Sequence, residues 1–553
     1  MHALNDGEQL LKTTKQFFIL LLTSLLFAAC GGGGGTAVKE NLLGGGYAPG
    51  EVRALEFGSD GQALINFGDL SGGEQFALIF FAAGVNQGNF GVQVKSARDT
   101  SSTPPPRYLR SVAPYLPDTQ MQEGDATSNF HELLRQEEQI IGQVIAESGK
   151  EKFFAATSDN SLALAQSWNV PCANGAGILM KVINNLSNTD SYDTICALQR
   201  RVASHAIYYV DESISGSMSD SLINPIIDRF EAKIDRERNL LGQESDVNND
   251  GKFAVCFCPS VNRLGGSSGG YVTGFFFGGD LISAESMPAS NEKEVLFVSV
   301  PDNNGQWGTV VPTDFWASNI APSVLPHEYQ HMINYRYKVL TQQIGAEESW
   351  ANEGLSHLME DLNSDQNEPL AEVGMENPSR VALYLQAPQN AAFTGGTSLA
   401  QRGGAYLFFR YLYEQANRGR FPGVADGQEL LSKLISSSFR GVKNVEETTG
   451  WSFRNILLDF YATLQLSNTG VTEDPRYNFQ GIDLHGQQSD NRGTVLAGVQ
   501  AQTLNTVPVS ASVTSPGGLF YQLDGNTVEA AGNSLSFTAD PGMIPGGAVI
   551  RLQ

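Results

Sequence analysis

The sequence predicts an α+β fold in which a mixed α/β central unit is flanked by small β modules at its N- and C-terminal ends. Short alternating runs, such as residues 62–67 and 76–81, indicate strands between residues 51 and 102. The middle of the chain carries longer runs with helical periodicity. The last stretch, residues 493–553, returns to short β-like segments among Gly, Ser and Asn.

The composition excludes one class of partner. The chain has 553 residues, of which 41% are apolar, enough for more than one packed core. Its 59 acidic residues outnumber its 35 basic residues, which gives a formal net charge of -24. Such a chain lacks the excess of Lys and Arg that neutralises phosphates, so we expect no nucleic-acid partner.

Residues 1–30 have the pattern of an export signal. Lys12 and Lys15 precede an apolar run, residues 17–27, that is too short for a comfortable membrane span. The run ends in Leu-Phe-Ala-Ala-Cys, which resembles a bacterial lipobox, and by that resemblance residues 1–30 are a lipoprotein signal peptide and Cys30 carries the lipid. The alternative is an ordinary secretory signal that is cleaved nearby, and both interpretations take the protein out of the cytoplasm.

The residues after Cys30 predict a tether and a surface location. Residues 31–50 contain two Gly-rich patches, a composition typical of a flexible linker. Gly31 stands where many inner-membrane lipoproteins of Gram-negative bacteria carry Asp, which favours the outer membrane or the cell surface. We therefore expect an exported, lipid-anchored protein, with release into the extracellular medium as an alternative.

Four further cysteines permit two disulfides in an oxidising compartment. Cys256 and Cys258 are too close in an extended segment to pair easily with each other, because residues two apart on a strand are separated by about 6.6 Å. The sequence therefore favours a bond from each of them to Cys172 or Cys196, in an order that it does not reveal.

A single larger domain is predicted from residue 118 to 487. The prolines at 104–106 mark its N-terminal edge, and residues 130–147 show helical periodicity. Strand-like runs lie at 252–259 and 295–300. Further helical patterns occupy residues 322–340, 348–361, 405–417 and 453–466.

The decisive motif is His-Glu-x-x-His, formed by His327, Glu328 and His331 within a helical pattern. Residues four apart lie on one face of a helix, so both imidazoles can reach one ion at the roughly 2.0–2.1 Å that zinc requires. Glu328 then lies beside the metal, where it can take a proton from water. Ser323 is the candidate N-cap of this helix, which would place Pro326 in the first turn.

A third protein ligand is expected from the helical pattern at 348–361. Glu353, His357 and Glu360 follow one another at i, i+4 and i+7 and therefore form one polar stripe. A catalytic zinc site needs three protein ligands and an open position. Glu353 is the favoured third ligand. Two alternatives remain, namely His357 as the ligand with Glu353 in support, or a solvated charged face.

The motif and its continuation resemble a known family. The phrases HEYQHMINY and ESWANEGLSHLMED, with the run GGAYLFFRYL at 403–412, are similar to the hyicolysin family of bacterial neutral metalloproteases, in the gluzincin group. The similarity covers residues from about 130 to 485. It implies a zincin-like metallopeptidase domain in which His327, His331 and Glu353 bind one zinc ion. Glu328 would be the catalytic base.

The resemblance leaves the supporting residues open. Thermolysin-like relatives carry Asp four residues after the glutamate ligand, whereas this chain has His357 there. His357 and Glu360 are therefore both candidates for the group that orients a zinc-binding imidazole. The reaction also needs a donor to the oxyanion, and the candidates are Tyr406, Tyr411 and His485, although a tyrosine in an apolar helix more often belongs to the core.

Two further motifs are incomplete, and neither is interpreted as a functional site. Residues 130–135 contain a second His-Glu pair, but Arg135 stands where the second histidine would be needed, so His131 is interpreted as an ordinary helix residue. Residues 374–377, Gly-Met-Glu-Asn, partly match the motif with which related aminopeptidases bind a substrate N-terminus. They lack its alanine and follow the zinc motif instead of preceding it, so we favour coincidence.

Residues 246–252 have features of a calcium loop. Asp246, Asn248 and Asp250 offer oxygen ligands at alternate positions before Gly251, but a full EF-hand would need a carboxylate where this chain has Phe257. Structural calcium is therefore a hypothesis, and the favoured alternative is an Asx-rich turn that leads into a strand.

Together these patterns predict a zinc-dependent metalloendopeptidase that hydrolyses extracellular or periplasmic proteins with metal-activated water and Glu328 as general base. Its expected partners are a protein or peptide substrate and the membrane that holds its lipid. Two alternatives remain. One is a surface binding or adhesion protein on an inactive metallopeptidase fold, against which the intact Glu328 argues, and the other is a metallo-aminopeptidase.

Overall fold

The computed structural model describes residues 38–43, 47–84, 88–99, 125–149, 170–173, 177–185, 191–265, 271–363, 377–488 and 493–553, with the backbone alone at 125–129. The predicted signal peptide with Cys30, the tether up to residue 37, the prolines at 104–106 and residues 374–376 lie outside the described residues. Those interpretations therefore stay predictions. The tether predicted up to residue 50 is corrected in its described part, because Lys39–Leu42 is a strand that pairs with Gln62–Asn66, and Leu43 and Tyr47 are buried.

The elements of the described residues are numbered here in chain order. The strands are β1 (Lys39–Leu42), β2 (Val52–Ala54), β3 (Gln62–Asn66), β4 (Gln75–Ala82), β5 (Asn89–Ser96), β6 (Ile178–Ile183), β7 (Tyr192–Val202), β8 (Ala206–Asp211), β9 (Phe253–Phe257), β10 (Gly274–Phe276), β11 (Val295–Val298), β12 (Gln502–Thr503), β13 (Val509–Thr514), β14 (Gly517–Asp524), β15 (Ser534–Ala539) and β16 (Pro545–Arg551). The helices are α1 (Asp125–Ser148), α2 (Asp220–Leu241), α3 (Pro259–Leu264), α4 (Ala321–Tyr335), α5 (Ser349–Leu362), α6 (Asn377–Gln386), α7 (Leu399–Asn417), α8 (Gly427–Ser436), α9 (Gly441–Thr449), α10 (Phe453–Leu466) and α11 (Gly525–Ala530). Short helical turns lie at Glu212–Ile214, Gly278–Leu281, Thr313–Phe315 and Pro475–Tyr477, and π-helical segments at Trp316–Ile320 and Arg336–Thr341.

The two ends of the chain share one pair of β sheets. The sheet orders are β1-β3-β15-β5-β13 and β12-β14-β4-β16-β2, so both sheets contain strands from both ends. β4 pairs with β14 on one side and with β16 on the other. The expectation of separate N- and C-terminal β modules is therefore corrected, because the N-terminal strands find their hydrogen-bonding partners in the C-terminal segment.

The strand β4 also joins this β domain to the rest of the protein. Leu78 and Phe80 belong to the core between the two sheets. Ile79 and Phe81, on the opposite face, belong to the larger core of the chain, where Phe81 contacts the ring of Tyr461 on α10 at 5.3 Å between centroids. Because side chains alternate along a strand, one strand serves two cores.

A six-stranded mixed sheet, in the order β10-β11-β9-β8-β7-β6, forms the centre of the chain. β8, β9 and β11 run parallel, while their neighbours β7 and β10 run antiparallel to them. β9 and β11 are buried along their whole length, as expected for strands covered on both faces, and they confirm the predicted strands at 252–259 and 295–300. The short strand β10 lies at the edge of this sheet and contacts α4.

The predicted helices at 130–147, 322–340, 348–361, 405–417 and 453–466 are confirmed as α1, α4, α5, α7 and α10. The N-cap prediction for Ser323 is wrong, because α4 continues without interruption from the π-helical segment before it and already begins at Ala321. Ser323 therefore lies inside the helix, as does Pro326. Among the helices of the described residues, none has the length and apolarity that a membrane span would require.

The cysteine pairing differs from the favoured prediction. Cys172 and Cys196 form a disulfide, while Cys256 and Cys258 are buried free thiols. Cys196 lies on β7 and Cys256 on β9, with β8 between them. Two strand spacings, about 9.6 Å, are more than a disulfide can bridge, so the predicted bond from the second pair to the first is wrong.

Candidate metal centre

Two packed helices bring the predicted metal ligands together. α4 carries His327 and His331 one turn apart, and α5, which packs against α4, carries Glu353. The Nε2 atoms of the two histidines are 3.2 Å apart. The Glu353 carboxylate lies 3.6 Å from Nε2 of His327 and 3.7 Å from Nε2 of His331. Ligand atoms arranged tetrahedrally around zinc are separated by about 3.4 Å, so these side chains need only small shifts to hold one ion.

Glu353 has the environment of a carboxylate that binds a cation. It is fully buried, and neither of its oxygens forms a hydrogen bond with the residues that the structure describes. Burial alone would raise its pKa, but Arg402 and the two histidines His327 and His331 outweigh burial and hold the pKa well below its usual range. Burying an ionised carboxylate without hydrogen bonds is costly unless positive charge compensates it. The donor set therefore fits a metal ion.

Glu360 contacts His327 on the side of the ring away from Glu353. Its Oε1 lies 2.7 Å from Nδ1 of His327 and 2.7 Å from Nδ1 of His357, and its Oε2 accepts a hydrogen bond from the Ser323 hydroxyl at 3.2 Å. Burial disfavours the imidazolium form of His327, but the nearby carboxylates of Glu353 and Glu360 outweigh burial and raise its pKa to about 9. A carboxylate on Nδ1 fixes the tautomer that leaves Nε2 free to bind a metal.

The geometry favours Glu353 over His357 as the third ligand. His327 belongs to two groups of possible ligand atoms within 4.8 Å of one another, one with His331 and Glu353 and the other with His357 and Glu360. The second group is already linked by hydrogen bonds of 2.7 Å on the Nδ1 side of His327. The first group lies on the Nε2 side and includes the carboxylate without hydrogen bonds. Burial, followed by Arg380, lowers the pKa of His357 to about 3, so this ring is neutral.

Among the described residues, one carboxylate oxygen of Glu328 has a hydrogen-bond partner and the other has none. Its Oε2 accepts a hydrogen bond of 2.9 Å from the backbone N–H of Phe276 on β10, whereas its Oε1 has no hydrogen-bond partner within the described part of the chain. The side chain is 1% exposed. Burial raises its pKa, although His327 and Arg135 oppose that effect. A buried carboxylate with a raised pKa and one free oxygen has the properties of a general base.

The sequence interpretation missed three side chains of α1. His131, Arg135 and Glu138 are 4%, 2% and 2% exposed and face the His–Glu cluster. Nε of Arg135 lies 3.4 Å from Oε1 of Glu353, and its Nη1 donates to Glu138 at 2.7 Å. The pKa of His131 is lowered well below its usual value by burial and by Arg402. His131 is therefore a buried residue on the same face of α1 as Arg135, and its interpretation as a helix residue without a metal-binding role stays a prediction.

The oxyanion candidates have other partners. The hydroxyl of Tyr406 donates to Asp361, which also pairs with Arg410. Tyr411 packs against the rings of Phe460 and Phe479. His485 lies beside Gly498, and burial lowers its pKa. The role of any of the three as oxyanion donor stays a prediction.

The segment from Asp246 to Lys252 forms a network of Asx-type hydrogen bonds. Asp246 Oδ1 accepts from the N–H of Asp250 at 3.0 Å, and Asp250 Oδ1 accepts from the N–H of Lys252 at 2.9 Å. The amide of Asn248 donates to Asp250 Oδ2 at 2.8 Å. This is the arrangement expected for the turn that leads into β9, and calcium at Asp246, Asn248 and Asp250 stays a hypothesis.

Comparison with known proteins gives one limited similarity. No protein-family model matches the chain. The neutral metalloprotease ShpI of Staphylococcus hyicus is 28% identical over 162 residues. The alignment covers 29% of this chain and 34% of that protein, so the chain spans about a third of the length of the curated relative that it matches. Together with the buried His–His–Glu group, this similarity supports a metalloprotease-like function.

Proposed function

We propose that the chain is a zinc-dependent metalloendopeptidase. The observation that carries this proposal is the buried carboxylate of Glu353, which has no hydrogen bond among the described residues and faces Nε2 of His327 and His331. Two imidazoles and one carboxylate are a usual ligand set of catalytic zinc and leave one position open. Zinc bound by these residues would lower the pKa of water and polarise a substrate carbonyl.

The residues of the chain would move the protons. Glu328 would accept a proton from the attacking water at Oε1, while Oε2 stays hydrogen-bonded to Phe276. The water oxygen bonds to the carbonyl carbon. When the C–N bond breaks, Glu328 returns the proton to the leaving amine. Glu360 would hold His327 in the required orientation throughout.

The substrate that we propose is an extracellular or periplasmic protein. Similarity to a neutral metalloprotease supports a protein or peptide substrate. The apolar run at 17–27 and Cys30 support export and a lipid anchor at the outer membrane or cell surface. Cleavage within the substrate is favoured over removal of N-terminal residues, because residues 374–377 match the aminopeptidase motif incompletely.

The test compares the mature protein with its Glu328→Gln variant. Bound zinc is measured in both, and casein cleavage is followed with and without a chelator. The chain offers a matched control, because Glu132 also follows a histidine but is exposed and bonds to Gln136 at 3.2 Å. We expect zinc in all three proteins and chelator-sensitive cleavage by the unsubstituted and Glu132→Gln proteins only.

Three other results would change the role of Glu328 or the proposed activity. Cleavage by Glu328→Gln at the unsubstituted rate would contradict the role of Glu328. Zinc without cleavage of casein or of a broad peptide library would favour a binding role. Cleavage of free but not of N-terminally blocked peptides would favour an aminopeptidase.

A further inference from the structure

Helix α1 presents a polar stripe to the candidate metal centre. His131, Arg135 and Glu138 are spaced at i, i+4 and i+7, so they lie on one face of the helix. All three are almost completely buried. Charged side chains are rarely buried to this extent without a structural or chemical reason, so this face of α1 requires an explanation.

The guanidinium of Arg135 uses only part of its hydrogen-bonding capacity in this position. Its Nη1 donates a hydrogen bond of 2.7 Å to Glu138, but neither Nε nor Nη2 has a hydrogen-bond partner within the residues described. Its electrostatic effect reaches Glu328 and His331, and its Nε is 3.4 Å from Glu353. A cation with unused donors therefore lies beside the proposed ligand Glu353, and its charge influences the base and His331.

The same segment of backbone positions Arg135 and the base. The N–H of Phe276 donates to Glu328, and the N–H of Gly278 donates at 3.2 Å to Oε1 of Glu138. Gly278 has no room for a side chain, because a Cβ there would lie 2.2 Å from the ring of Tyr335. Glu138 in turn holds Arg135, so β10 and the turn after it fix both the base and the guanidinium.

We propose that Arg135 donates a hydrogen bond from Nη2 to the oxygen of the scissile carbonyl as that oxygen becomes negatively charged. Glu138 is the positioning residue that orients the guanidinium. This inference rests on the proposed peptidase function and adds Arg135 to the oxyanion candidates Tyr406, Tyr411 and His485, which have contacts with Asp361, Phe460 and Gly498.

The electron and proton balance is simple. Water forms a bond from its oxygen to the carbonyl carbon, one of its protons moves to Glu328, and the π electron pair moves to the carbonyl oxygen, which accepts the hydrogen bond from Arg135. When the C–N bond breaks, the carbonyl re-forms and the leaving nitrogen takes the proton from Glu328. Arg135 stays protonated throughout, as arginine does in proteins.

Arg402 differs from Arg135 in the groups that it faces. Its Nε is 3.8 Å from the other oxygen of Glu353, and its charge is the strongest influence that lowers the pKa of that carboxyl against burial. We therefore assign Arg402 to the support of Glu353. Arg135 is held instead by Glu138, which accepts from Gly278, two residues after the Phe276 N–H that holds Glu328.

The experiment compares the unsubstituted protein with Arg135→Gln, and Arg476→Gln serves as the control. Arg476 also pairs with a carboxylate, Asp459, at 2.6 Å, but on α10. We expect Arg135→Gln to keep its zinc and its KM, while kcat falls by about 10²–10³-fold, the usual effect of removing one oxyanion donor. The control should lose less than about twofold in kcat, as expected for a residue that does not contact the reacting groups.

Two further readouts separate a donor from a structural support. Inorganic phosphate carries tetrahedral oxyanions, and we expect its Kd for the zinc-loaded protein, measured by calorimetry, to rise by at least about tenfold in Arg135→Gln. In Arg135→Ala, added guanidinium at non-denaturing concentration should restore kcat by about tenfold or more, because it can occupy the space of the lost side chain.

Several results would overturn the inference. One is unchanged kcat and phosphate affinity in Arg135→Gln. Another is a loss of zinc from that variant with full recovery of kcat at saturating zinc, which would make Arg135 a support of Glu353 alone. If the Gln variant does not fold, Arg135→Met replaces it, because Met keeps much of the side-chain length but has no N–H to donate, and full activity there would exclude the donor role. An unsubstituted protein that binds zinc but cleaves no peptide would contradict the proposed function instead, and the phosphate comparison would still decide the role of Arg135.

Discussion

Two buried glutamates on one helix differ in their hydrogen bonds, and this difference separates the proposed metal ligand from its proposed support. Glu353 and Glu360 are both on α5 and almost completely buried. Glu360 accepts hydrogen bonds from His327, His357 and Ser323, whereas Glu353 accepts none from the described residues. Only the carboxylate without such partners has its lone pairs available for a cation.

Replacing Glu360 should weaken metal binding without removing a ligand. In Glu360→Gln the Nδ1 of His327 loses its carboxylate partner, so the imidazole becomes less basic and less well oriented. We expect zinc affinity to fall by about 10–100-fold, measured by competition with a chromogenic chelator. Glu447→Gln, at an exposed glutamate that pairs with Lys443, is the control. Equal affinity in all three proteins would contradict the assigned role of Glu360.

Asp280 should make stability depend on pH. It lies in the buried turn after β10 and accepts two hydrogen bonds from Asn291 at 2.9 and 2.7 Å, yet burial raises its pKa to about 7. Because the folded pKa exceeds the unfolded value of about 3.9, the folded state binds the proton more tightly. Its contribution is therefore present in full below about pH 4 and is lost as the pH rises to about 7, by at most about 4 kcal/mol.

The Asp280→Asn variant tests whether Asp280 causes stability to fall as the pH rises. Asn keeps the oxygen that accepts from Asn291 but does not titrate. Urea unfolding at pH 5 and pH 8 should show that the variant gains stability relative to the unsubstituted protein as the pH rises. Parallel pH profiles of the two proteins would exclude a raised pKa at Asp280.

At the scale of elements, the hairpin of β6 and β7 is tied to the segment before it by the Cys172–Cys196 disulfide. We expect non-reducing peptide mapping to find these two cysteines linked, and Cys256 and Cys258 to react with a thiol reagent only after unfolding, since both are fully buried. Removing the disulfide should cost about 3 kcal/mol, because it closes a loop with a sequence separation of 24. A linked peptide that contains Cys256 would contradict the observed pairing.

Local patterns predicted the helices and the motif well because each depends on neighbours in sequence. His327 and His331 had to share a face once the segment was helical, and α10 has the predicted bounds. Contacts between segments that are far apart in the sequence leave no such local pattern. The approach of Arg135 to Glu353 depends on how α1 packs, although its stripe with His131 and Glu138 could have been noticed in the sequence.

At the scale of the whole molecule, the same limitation explains the single β domain. Alternation identified residues 76–81 as a strand, but nothing local indicates that β4 lies between β14 and β16. In the structure both faces are buried, one in each core, so the terminal β domain and the central unit depend on each other.

Truncation tests this dependence. Ending the chain at residue 492 removes β12 to β16, so β4 and β5 lose both of their partner strands and β3 keeps only β1. We expect the truncated protein to be poorly soluble and to unfold at a markedly lower temperature, because unpaired strand edges and the buried face of β4 become exposed. A truncated protein with the thermal midpoint of the full chain would show that the two units are independent.

The most direct test of the metal centre compares two substitutions on α5. Zinc content is measured in Glu353→Gln and His357→Gln after dialysis against a metal-free buffer, beside the unsubstituted protein. The account predicts one zinc ion per chain in the unsubstituted and His357→Gln proteins, and less than about a tenth of that in Glu353→Gln. Zinc retained by Glu353→Gln and lost by His357→Gln would contradict it and assign the ion to His357.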